Sequence, residues 1–370
     1  MPKNPKYTVI GAGNGGKAMA AHLALKGFQV TLYNRTPERV KAIAELGGIH
    51  LESYEGGPHG FGKLRKVTSD MEEAVAGAKM IMVVVPSAAH ADVASKMAPC
   101  LRDGQIVVLH PGRTCGAIEF RQAISDHACR ADITVAEAET FVYASRSEGP
   151  AEARIFRIKN AVPLAAMPAT RTKQVLDMIH QPYPEFVDGV NVLHTGLNNM
   201  GAIFHPTLTM LNAGRIESTS GDFQFYIEGV TPSTARVLEA LDRERVTVAA
   251  ALGVRARTAM EWLYLAYGVT GESLYEAIHH QTGYYGIKAP STMRHRYIFE
   301  DVPMSLVPIA SLGKRYGVSV RAMESIIRLA CITNRTDYWR RGRTLDKLGI
   351  ESLSVSELTR FVVEGVTPRL

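Results

Sequence analysis

The chain has 370 residues and a net charge of +6, and 46% of its residues are hydrophobic while 21% are charged. This length predicts two domains at about 150 residues each, and the composition is typical of a globular protein. No run approaches the ~18 consecutive apolar residues of a membrane span, and the first residues carry no secretory-signal pattern. Because no block of about five or six like charges occurs, nucleic acid is not an expected partner.

The cysteine pattern limits the redox and metal chemistry. The chain has four cysteines, and none of them forms a C-x-x-C pair. This pattern disfavours a disulfide scaffold and a cysteine zinc site, so we expect reduced thiols, a cytoplasmic protein and no metal. The modest positive charge suits anionic small-molecule substrates and a phosphorylated cofactor.

The first forty residues carry a strand, a glycine-rich loop and a helix in direct succession. Residues 7–10 predict a short buried strand, residues 15–25 an alanine-rich helix, and residues 28–33 a second strand. The G-x-G-x-x-G spacing between strand and helix is typical of dinucleotide binding, because each glycine permits a tight turn or a close approach. The helix N-terminus then offers free N–H groups to the phosphates. The predicted cofactor-binding loop consists of Gly11, Gly13, Asn14, Gly15 and Gly16.

The end of the second strand indicates which dinucleotide is preferred. NAD sites usually have an acidic residue about 20 positions after the glycines, whereas this chain has Asn34, Arg35 and Thr36 there. Arg35 is suited to pair with a 2′-phosphate, and Thr36 is suited to donate a hydrogen bond to it. The sequence therefore favours NADP, with NAD also possible. The alternative is that Arg35 is a solvated residue before a helix that starts at Pro37.

The rest of the N-terminal half alternates between strand and helix signals. Residues 80–85, 105–109 and 133–136 predict further strands, with helices between them. Such a series predicts a doubly wound, mostly parallel sheet of the Rossmann type. Ligands bind outside the carboxyl ends of such strands. The residues at these ends are Pro86, Ser87, Pro111 and Gly112, which we expect to line the nicotinamide ribose, although each alone is equally well explained as a strand-terminating turn.

Residues 136–146 carry unusual charges for a strand that should be buried. Strand alternation would place Glu137 and Glu139 on one face. A carboxylate at Glu139 is suited to an ammonium group, and the guanidinium of Arg146 is suited to a carboxylate. From spacing alone, an internal Glu–Arg ion pair at a sheet edge is an equally good interpretation.

Helical periodicity dominates from about residue 190. One helix has both ends marked, by Thr231 as N-cap with Pro232 at the first turn, and by Gly253 after the last turn. We therefore predict an α/β protein whose residues 1–188 form a Rossmann-type dinucleotide-binding domain. Residues 189–370 are predicted to form an all-helical domain for substrate binding and dimerisation.

A polar stripe is predicted on one helix of the second half. Asn198, His205 and Asn212 are spaced by sevens, so they would share one helical face. Pro206 should kink this helix, because proline cannot donate the backbone hydrogen bond. A histidine at such a site is suited to general acid–base catalysis. A satisfied core histidine is an equally good interpretation.

A catalytic histidine needs an acid to orient it and to stabilise its protonated form. Residues 296–303 offer two, Glu300 and Asp301, just before a helix that Pro303 predicts. For Asp301 the alternative role is that of a helix N-cap.

With these residues assembled, the chain resembles the opine dehydrogenase family, which includes octopine and nopaline dehydrogenases, and in particular its bacterial norvaline-type branch. The resemblance extends over nearly all of the sequence. Two positions depart from the family pattern: Arg35 lies where the norvaline-type enzymes have an acid nearby, and Ser145 lies where a cysteine is common. The matching segments are residues 11–16, Glu139-Thr140 with Arg146, residues 191–195, His205-Pro206, and residues 226–232, 300–302 and 342–345.

The resemblance implies NAD(P)H-dependent reduction of the imine formed between a 2-oxo acid, such as pyruvate, and the amine of an amino acid. It implies that His205 transfers the proton with Asp301 as its partner. Glu139 would face the amino substrate and Arg296 the keto acid, with Arg146 and Asn198 as further substrate-binding candidates. We expect a homodimer. The competing hypotheses are a simple ketone reductase of the ketopantoate or glycerol-phosphate type and a non-catalytic NADPH-sensing protein.

Overall fold

The computed structural model describes residues 5–53 and 57–366. The chain divides into two compact units. The first comprises the described residues up to Thr195 together with those from Arg360 onward, and the second comprises Gly196–Thr359.

The described strands all belong to the first unit. They form one sheet of eight strands and one sheet of four. In chain order they are β1 (Lys6–Ile10), β2 (Gln29–Tyr33), β3 (Gly48–Ser53), β4 (Gly60–Lys63), β5 (Lys66–Thr68), β6 (Met80–Val83), β7 (Ile106–Leu109), β8 (Thr134–Ala138), β9 (Tyr143–Gly149), β10 (Glu152–Ile158), β11 (Val162–Met167) and β12 (Phe186–Asp188).

The larger sheet has the order β12-β11-β8-β7-β6-β1-β2-β5. In this order, all the strands from β8 across to β5 run parallel to one another. Strand β11 pairs antiparallel with β8 and parallel with β12. Every residue of β6 and β7 is buried, because helices cover both faces of a doubly wound sheet. The predicted Rossmann-type sheet is thus confirmed, and its parallel strands end on one edge.

The smaller sheet, in the order β4-β3-β10-β9, has no counterpart among the predicted elements. It corrects the interpretation of residues 136–146 as one continuous strand. The chain leaves the large sheet after Ala138 and enters the small sheet at Tyr143. Alternation holds only along an unbroken strand, and β8 ends at Ala138, so it does not place Glu139 on the face of Glu137.

The helices carry the rest of both units. In chain order the α-helices are α1 (Asn14–Leu25), α2 (Lys41–Leu46), α3 (Met71–Val75), α4 (His90–Met97), α5 (Gly116–Asp126), α6 (Thr172–Ile179), α7 (Val192–Leu197), α8 (Gly201–Leu211), α9 (Ala213–Thr219), α10 (Pro232–Ala251), α11 (Ala259–Tyr267), α12 (Leu274–His280), α13 (Arg296–Phe299), α14 (Val307–Arg315), α15 (Arg321–Thr333), α16 (Tyr338–Arg341) and α17 (Val355–Glu364). Short 3₁₀ segments cover Pro37–Arg39, Ser87–Ala89, Ala98–Cys100, Ala169–Arg171 and Thr282–Tyr284, and a π-helical turn covers Val302–Leu306.

The longest of these helices, α10, has the predicted N-terminus. The Thr231 side chain accepts a hydrogen bond from the backbone N–H of Thr234, and Pro232 occupies the first turn. This satisfies one of the donors that every helix start leaves open. Gly253 follows the end of α10 with a positive φ of 70°. None of the described helices is long and apolar enough to cross a membrane.

The division of the chain into units differs from the predicted domain limits of 1–188 and 189–370. Along the chain the first unit ends at Thr195 and the second begins at Gly196, and the end of α17 belongs to the first unit. There Arg121 lies over the Phe361 ring and donates a hydrogen bond to the carbonyl of Gly365. A prediction that divides the chain at one position cannot show that a terminal helix packs on the first unit. The end of α17 was therefore assigned to the second domain.

Candidate active site

The glycine-rich loop lies between β1 and α1, where two of its glycines are sterically required. Gly11 has a φ of +108°, and a Cβ there would lie 2.4 Å from the carbonyl oxygen of Val84. A Cβ on Gly16 would lie 1.8 Å from the carbonyl oxygen of Gly11. At Gly13, by contrast, no described atom lies within 4 Å of the added Cβ. The loop therefore packs tightly on one side and leaves space on the other, which fits the close approach of a pyrophosphate.

The start of α1 is tied to the smaller sheet. Asn14 accepts a hydrogen bond from the Ser147 backbone N–H at 3.1 Å through its Oδ1. The ammonium of Lys17 donates to Ser147 Oγ at 2.9 Å and to the carbonyl of Gly149 at 2.8 Å. Burial lowers the pKa of Lys17. These contacts support the helix N-terminus that presents its N–H groups to phosphate, and the sequence pattern gave no signal for them.

The residues predicted to select the cofactor lie at the end of β2. The Asn34 side chain accepts a hydrogen bond from the Ala12 N–H at 3.2 Å and donates to the carbonyl of Thr36 at 3.0 Å, so it joins this end to the glycine loop. The Arg35 side chain is 71% exposed and lies 3.4 Å from Asp92. An exposed pair of this kind contributes little to stability. The guanidinium is therefore accessible to a phosphate.

The two prolines predicted near the nicotinamide lie just beyond the carboxyl ends of β6 and β7. Pro86 precedes the short 3₁₀ segment Ser87–Ala89, and Pro111 follows a cis peptide bond. Next to it, a Cβ on Gly112 would lie 2.3 Å from a carboxylate oxygen of Glu137. The loop after β7 thus runs directly over the end of β8.

The two glutamates of β8 and its end have different roles. Glu137 is fully buried, and its carboxylate accepts hydrogen bonds from the Ala117 N–H at 2.7 Å and from the Thr195 hydroxyl at 2.6 Å. It therefore fixes the start of α5 and cannot bind an amine. Glu139 is only partly buried and follows the strand, where its N–H donates to the carbonyl of Pro163 at 2.8 Å.

Arg146 lies apart from the strand that precedes Glu139. It is exposed on β9, opposite Arg154 of β10. Within the described residues, it is Arg154 that pairs with carboxylates on this sheet, those of Glu52 and Glu148. These ion pairs involve an arginine of the inner strand β10 and glutamates other than Glu137 and Glu139, so they are not the pair that the spacing suggested.

His205 and Asp301 come together in the second unit, 96 positions apart in sequence. The distance from His205 Nδ1 to Asp301 Oδ2 is 2.8 Å. The imidazole is 21% exposed, and the carboxylate is fully buried. With Nδ1–H donating to the carboxylate, Nε2 is the atom left to exchange a proton with a substrate. The Asp301 side chain makes no capping hydrogen bond within the described residues, so the N-cap interpretation was wrong.

Two features hold the imidazole in place. His205 lies in α8 directly before Pro206, as predicted. The Tyr297 ring stacks on the imidazole with centroids 4.0 Å apart and planes inclined by 16°. Phe225 also stacks on Tyr297, with centroids 5.5 Å apart. Tyr297 was missed from sequence, although it lies one helical turn before Asp301.

The predicted polar stripe through His205 is not present, because α8 is shorter than the pattern suggested. It begins at Gly201, so Asn198 lies before it, with its Oδ1 accepting the Arg257 N–H at 2.9 Å. Asn212 ends the helix and donates to the carbonyls of Leu208 and Gly229. Both asparagines satisfy backbone groups where chain segments meet.

Arg296 lies in α13 and pairs with the buried Glu300. Its Nε and Nη2 lie 3.0 Å and 2.9 Å from one Glu300 carboxylate oxygen, and its side chain is 52% exposed. The neighbouring His295 has a lowered pKa because of burial and then the charges of Arg296 and His205. Across the described residues, no group of three or more histidine, cysteine or acidic side chains is placed to hold a metal.

Segments in both halves of the chain match models of known protein families. Residues 189–334 match the model of the NAD/NADP octopine/nopaline dehydrogenase, alpha-helical domain, and residues 6–112 match that of the NAD-dependent glycerol-3-phosphate dehydrogenase N-terminus. An opine dehydrogenase of Arthrobacter sp. (strain 1C) is 37% identical over 362 residues, which cover 98% of this chain and 100% of that protein. Octopine dehydrogenase of Pecten maximus is 24% identical over 88% of this chain and 89% of its own length.

Comparison with solved structures gives the same fold. Octopine dehydrogenase with NADH and L-arginine has a TM-score of 0.84 at 20% identity, covering 99% of this chain and 100% of that chain. Yersinopine dehydrogenase with NADP⁺ has a TM-score of 0.77 at 14% identity, covering 98% and 99%. Since the fold is shared and the bacterial relative matches along its whole length, the chain belongs to the opine dehydrogenase family of NAD(P)-dependent oxidoreductases acting on CH–NH bonds.

Proposed function

We propose that this enzyme couples a pyruvate-like 2-oxo acid to the amine of an amino acid and reduces the resulting imine to a secondary amine. The observation that carries the proposal is the His205–Asp301 pair, a partly exposed imidazole on a buried carboxylate. A protein that only senses a nucleotide has no need of such a pair. Octopine dehydrogenase, which shares the fold, has been solved with NADH and pyruvate and with NADH and L-arginine.

The reaction requires protons to move while the carbon–nitrogen bond forms. The amine attacks the carbonyl carbon, the carbinolamine loses water, and the resulting imine is reduced. The nicotinamide cofactor supplies the hydride from its C4 position. His205 Nε2 accepts a proton as the amine adds and returns it to the departing hydroxyl, which leaves as water.

Asp301 acts on this step through His205. Its carboxylate accepts the Nδ1–H, which selects the tautomer with a lone pair on Nε2 and stabilises the positive charge when the ring is protonated. Because the carboxylate is fully buried, water does not screen this interaction strongly. Asp301 is therefore a positioning residue for the proton transfer.

We assign the substrate contacts to Glu139 for the amine and Arg296 for the keto-acid carboxylate. Glu139 is partly exposed. The Arg296 guanidinium is half-exposed, and its ion pair with the Glu300 carboxylate holds it in position. A carboxylate is well matched by the guanidinium fork. Asn198 and Arg146 are left out of this assignment, because the first binds the Arg257 backbone and the second lies on the small sheet.

For the cofactor we propose a preference for NADPH over NADH. Arg35 is exposed at the end of β2, and no acid follows that strand directly to repel a 2′-phosphate.

We further propose that the protein is cytoplasmic and forms a homodimer. Light scattering on the purified protein would test the dimer. A monomer in solution would contradict the dimer.

The experiment that tests the function is a substrate panel followed by loss of reduced-nicotinamide absorbance. NADPH or NADH is offered with pyruvate or glyoxylate and with each of many amino acids and amines. We expect oxidation of the cofactor only when a 2-oxo acid and an amine are both present. Oxidation with the 2-oxo acid alone would indicate a ketone reductase, and binding without oxidation would indicate a sensor.

A further inference from the structure

A π-helical turn follows the residue that binds the catalytic imidazole. The turn covers Val302–Leu306 and begins directly after Asp301. The Val307 N–H closes it with a hydrogen bond to the carbonyl five residues back, that of Val302. Single π-helical turns are rare and are frequently found at functional sites. What holds this turn in shape therefore also bears on where the Asp301 carboxylate lies.

Two prolines explain why the turn needs hydrogen-bond donors from outside. Within a helix the carbonyl of Pro303 would accept from the N–H of residue 307 or 308. The first of these donates to Val302, and Pro308 has no N–H. In an α-helix the carbonyl of Met304 would also pair with Pro308. Because a buried carbonyl without a donor costs free energy, donors from another part of the chain stabilise the turn.

Arg343 supplies a donor to each of these two carbonyls. Its backbone N–H donates to the Pro303 carbonyl at 3.1 Å, and its guanidinium Nη1 donates to the Met304 carbonyl at 3.4 Å. The side chain is fully buried, a setting in which arginine is rarely found unless it is hydrogen-bonded or paired. Gly342 permits the close approach, because a Cβ there would lie 2.6 Å from Val307 Cγ1. These two residues open the segment 342–345, to which the proposed function gives no role.

A second contact ties the turn to the helix of His205. The side-chain amide of Asn199 donates from Nδ2 to Ser305 Oγ at 2.9 Å, and both residues are buried. Asn199 lies two residues before α8, and Ser305 lies inside the turn. Leaving a buried polar group unpaired is costly. The hydrogen bond therefore favours one placement of the turn relative to the start of α8.

We propose that Arg343 and the Asn199–Ser305 pair are positioning residues, which hold the π-helical turn so that the Asp301 carboxylate meets His205 Nδ1. They act on proton transfer only through Asp301. A misplacement of about 1 Å in such a group costs roughly 10²-fold in rate. This inference rests on the proposed function, because it assigns residues that support its His205–Asp301 pair.

The test removes each contact separately. Ser305→Ala deletes one hydroxyl, and Arg343→Met deletes the guanidinium while the backbone bond to Pro303 stays. With a 2-oxo acid and an accepted amino acid, kcat should fall about three- to tenfold for Ser305→Ala and about tenfold or more for Arg343→Met. The NADPH dissociation constant should stay at the wild-type value. Arg343→Lys keeps a buried donor and should recover part of the loss.

The decisive measurement repeats Ser305→Ala and Arg343→Met in the His205→Ala background. If both contacts act through Asp301 on His205, each should cost less than about twofold once the imidazole is absent, since coupled residues are not additive. All rates are measured well below the melting temperature of each variant. If Arg343→Met does not fold, Arg343→Lys and Ser305→Ala carry the test.

Matched controls separate positioning from general stability. Arg315, at the other end of α14, also donates from its guanidinium to backbone carbonyls, those of Glu351, Ser352 and Leu353. The Ser325 hydroxyl donates to the Arg321 carbonyl within α15. Arg315→Met and Ser325→Ala should keep the wild-type kcat, whatever they do to the melting temperature.

Two results would overturn the inference. Wild-type kcat in both Ser305→Ala and Arg343→Met would show that the turn holds Asp301 without these contacts. Losses of equal size in the wild-type and His205→Ala backgrounds would show that the contacts act on the fold or on another group. By contrast, a wild type that couples no amine, or near-normal turnover of His205→Ala, would contradict the proposed function itself.

Discussion

The cofactor loop of the first unit and the His205–Asp301 pair of the second unit are built in opposite ways. The loop spans a few consecutive residues and works through its backbone, with Gly11 and Gly16 leaving no room for side chains. The pair joins residues 96 positions apart and works through side chains that two different helical segments bring together. The cofactor loop is therefore encoded by a local sequence motif, whereas the His205–Asp301 pair forms only when the helical unit folds.

This difference predicts separable functions. The loop should bind the cofactor whether or not the pair is intact, and the pair should contribute to turnover without contributing to cofactor affinity. The following variants are arranged to break or sharpen that separation, beginning with the largest expected effect.

His205→Ala should lower kcat by about 10²–10⁴, the usual contribution of a general acid–base residue. NADPH affinity, measured by fluorescence titration, should be unchanged. His280→Ala is the control, since His280 is an exposed histidine of the same unit that contacts the Thr270 carbonyl. Near-normal turnover of His205→Ala would remove the residue from catalysis.

The partner residue sharpens the same comparison. Asp301→Asn should also slow turnover, because it removes the charge that stabilises a protonated His205. The double variant should be little slower than His205→Ala alone, since the two residues act as one unit. If the two losses add fully in free energy, the residues work independently.

Gly16→Ala and Gly13→Ala test the loop itself. A Cβ on Gly16 meets the backbone of Gly11 at 1.8 Å, so the alanine should destabilise the fold by about 1–3 kcal/mol. At Gly13 there is open space among the described atoms, so the alanine should leave the melting temperature near that of wild type while it weakens NADPH binding. Equal melting temperatures for both variants would show that the packing at Gly16 is not limiting.

Arg35→Asp should shift the preference from NADPH toward NADH by about tenfold or more, the worth of a charge-assisted phosphate contact. The ratio of kcat/KM for the two cofactors measures it. Arg39→Asp, which also changes the charge by two in the neighbouring 3₁₀ segment, is the control. A wild type that already prefers NADH would contradict the assignment of Arg35.

Tyr297→Leu should give the smallest effect. An aromatic face stabilises a nearby cation by about 0.5–1 kcal/mol at an exposed site, which corresponds to roughly a two- to fivefold lower kcat. Tyr297→Phe keeps the ring over His205 and should keep the wild-type rate. If Phe loses as much as Leu, the hydroxyl rather than the ring is responsible.

The same contrast explains what the sequence could predict. The large sheet, α1 and the capped helix α10 follow from local patterns of apolar residues, glycine and proline, and all three are present. The small sheet was missed because β3 and β10 pair across about 100 residues, and each alone is too short and polar to stand out.

The candidate site shows the same limit at single residues. That His205 lies in a helix directly before Pro206 could be predicted from the local sequence, because both residues belong to one helical segment. That Glu137 is buried against Thr195, and that Asn198 binds the Arg257 backbone, depends on contacts between distant segments. A spacing argument cannot tell such a structural polar residue from one that binds substrate.

The most direct test of the account follows the hydride itself. NADPH deuterated at the transferred C4 position is incubated with the enzyme, a 2-oxo acid and an accepted amino acid, and the products are analysed by mass spectrometry. We predict one deuterium on the carbon that carries the new secondary amine, and no deuterated product when the amino acid is left out. Deuterium in a 2-hydroxy acid would show that the enzyme reduces the ketone instead of the imine, and would contradict the account.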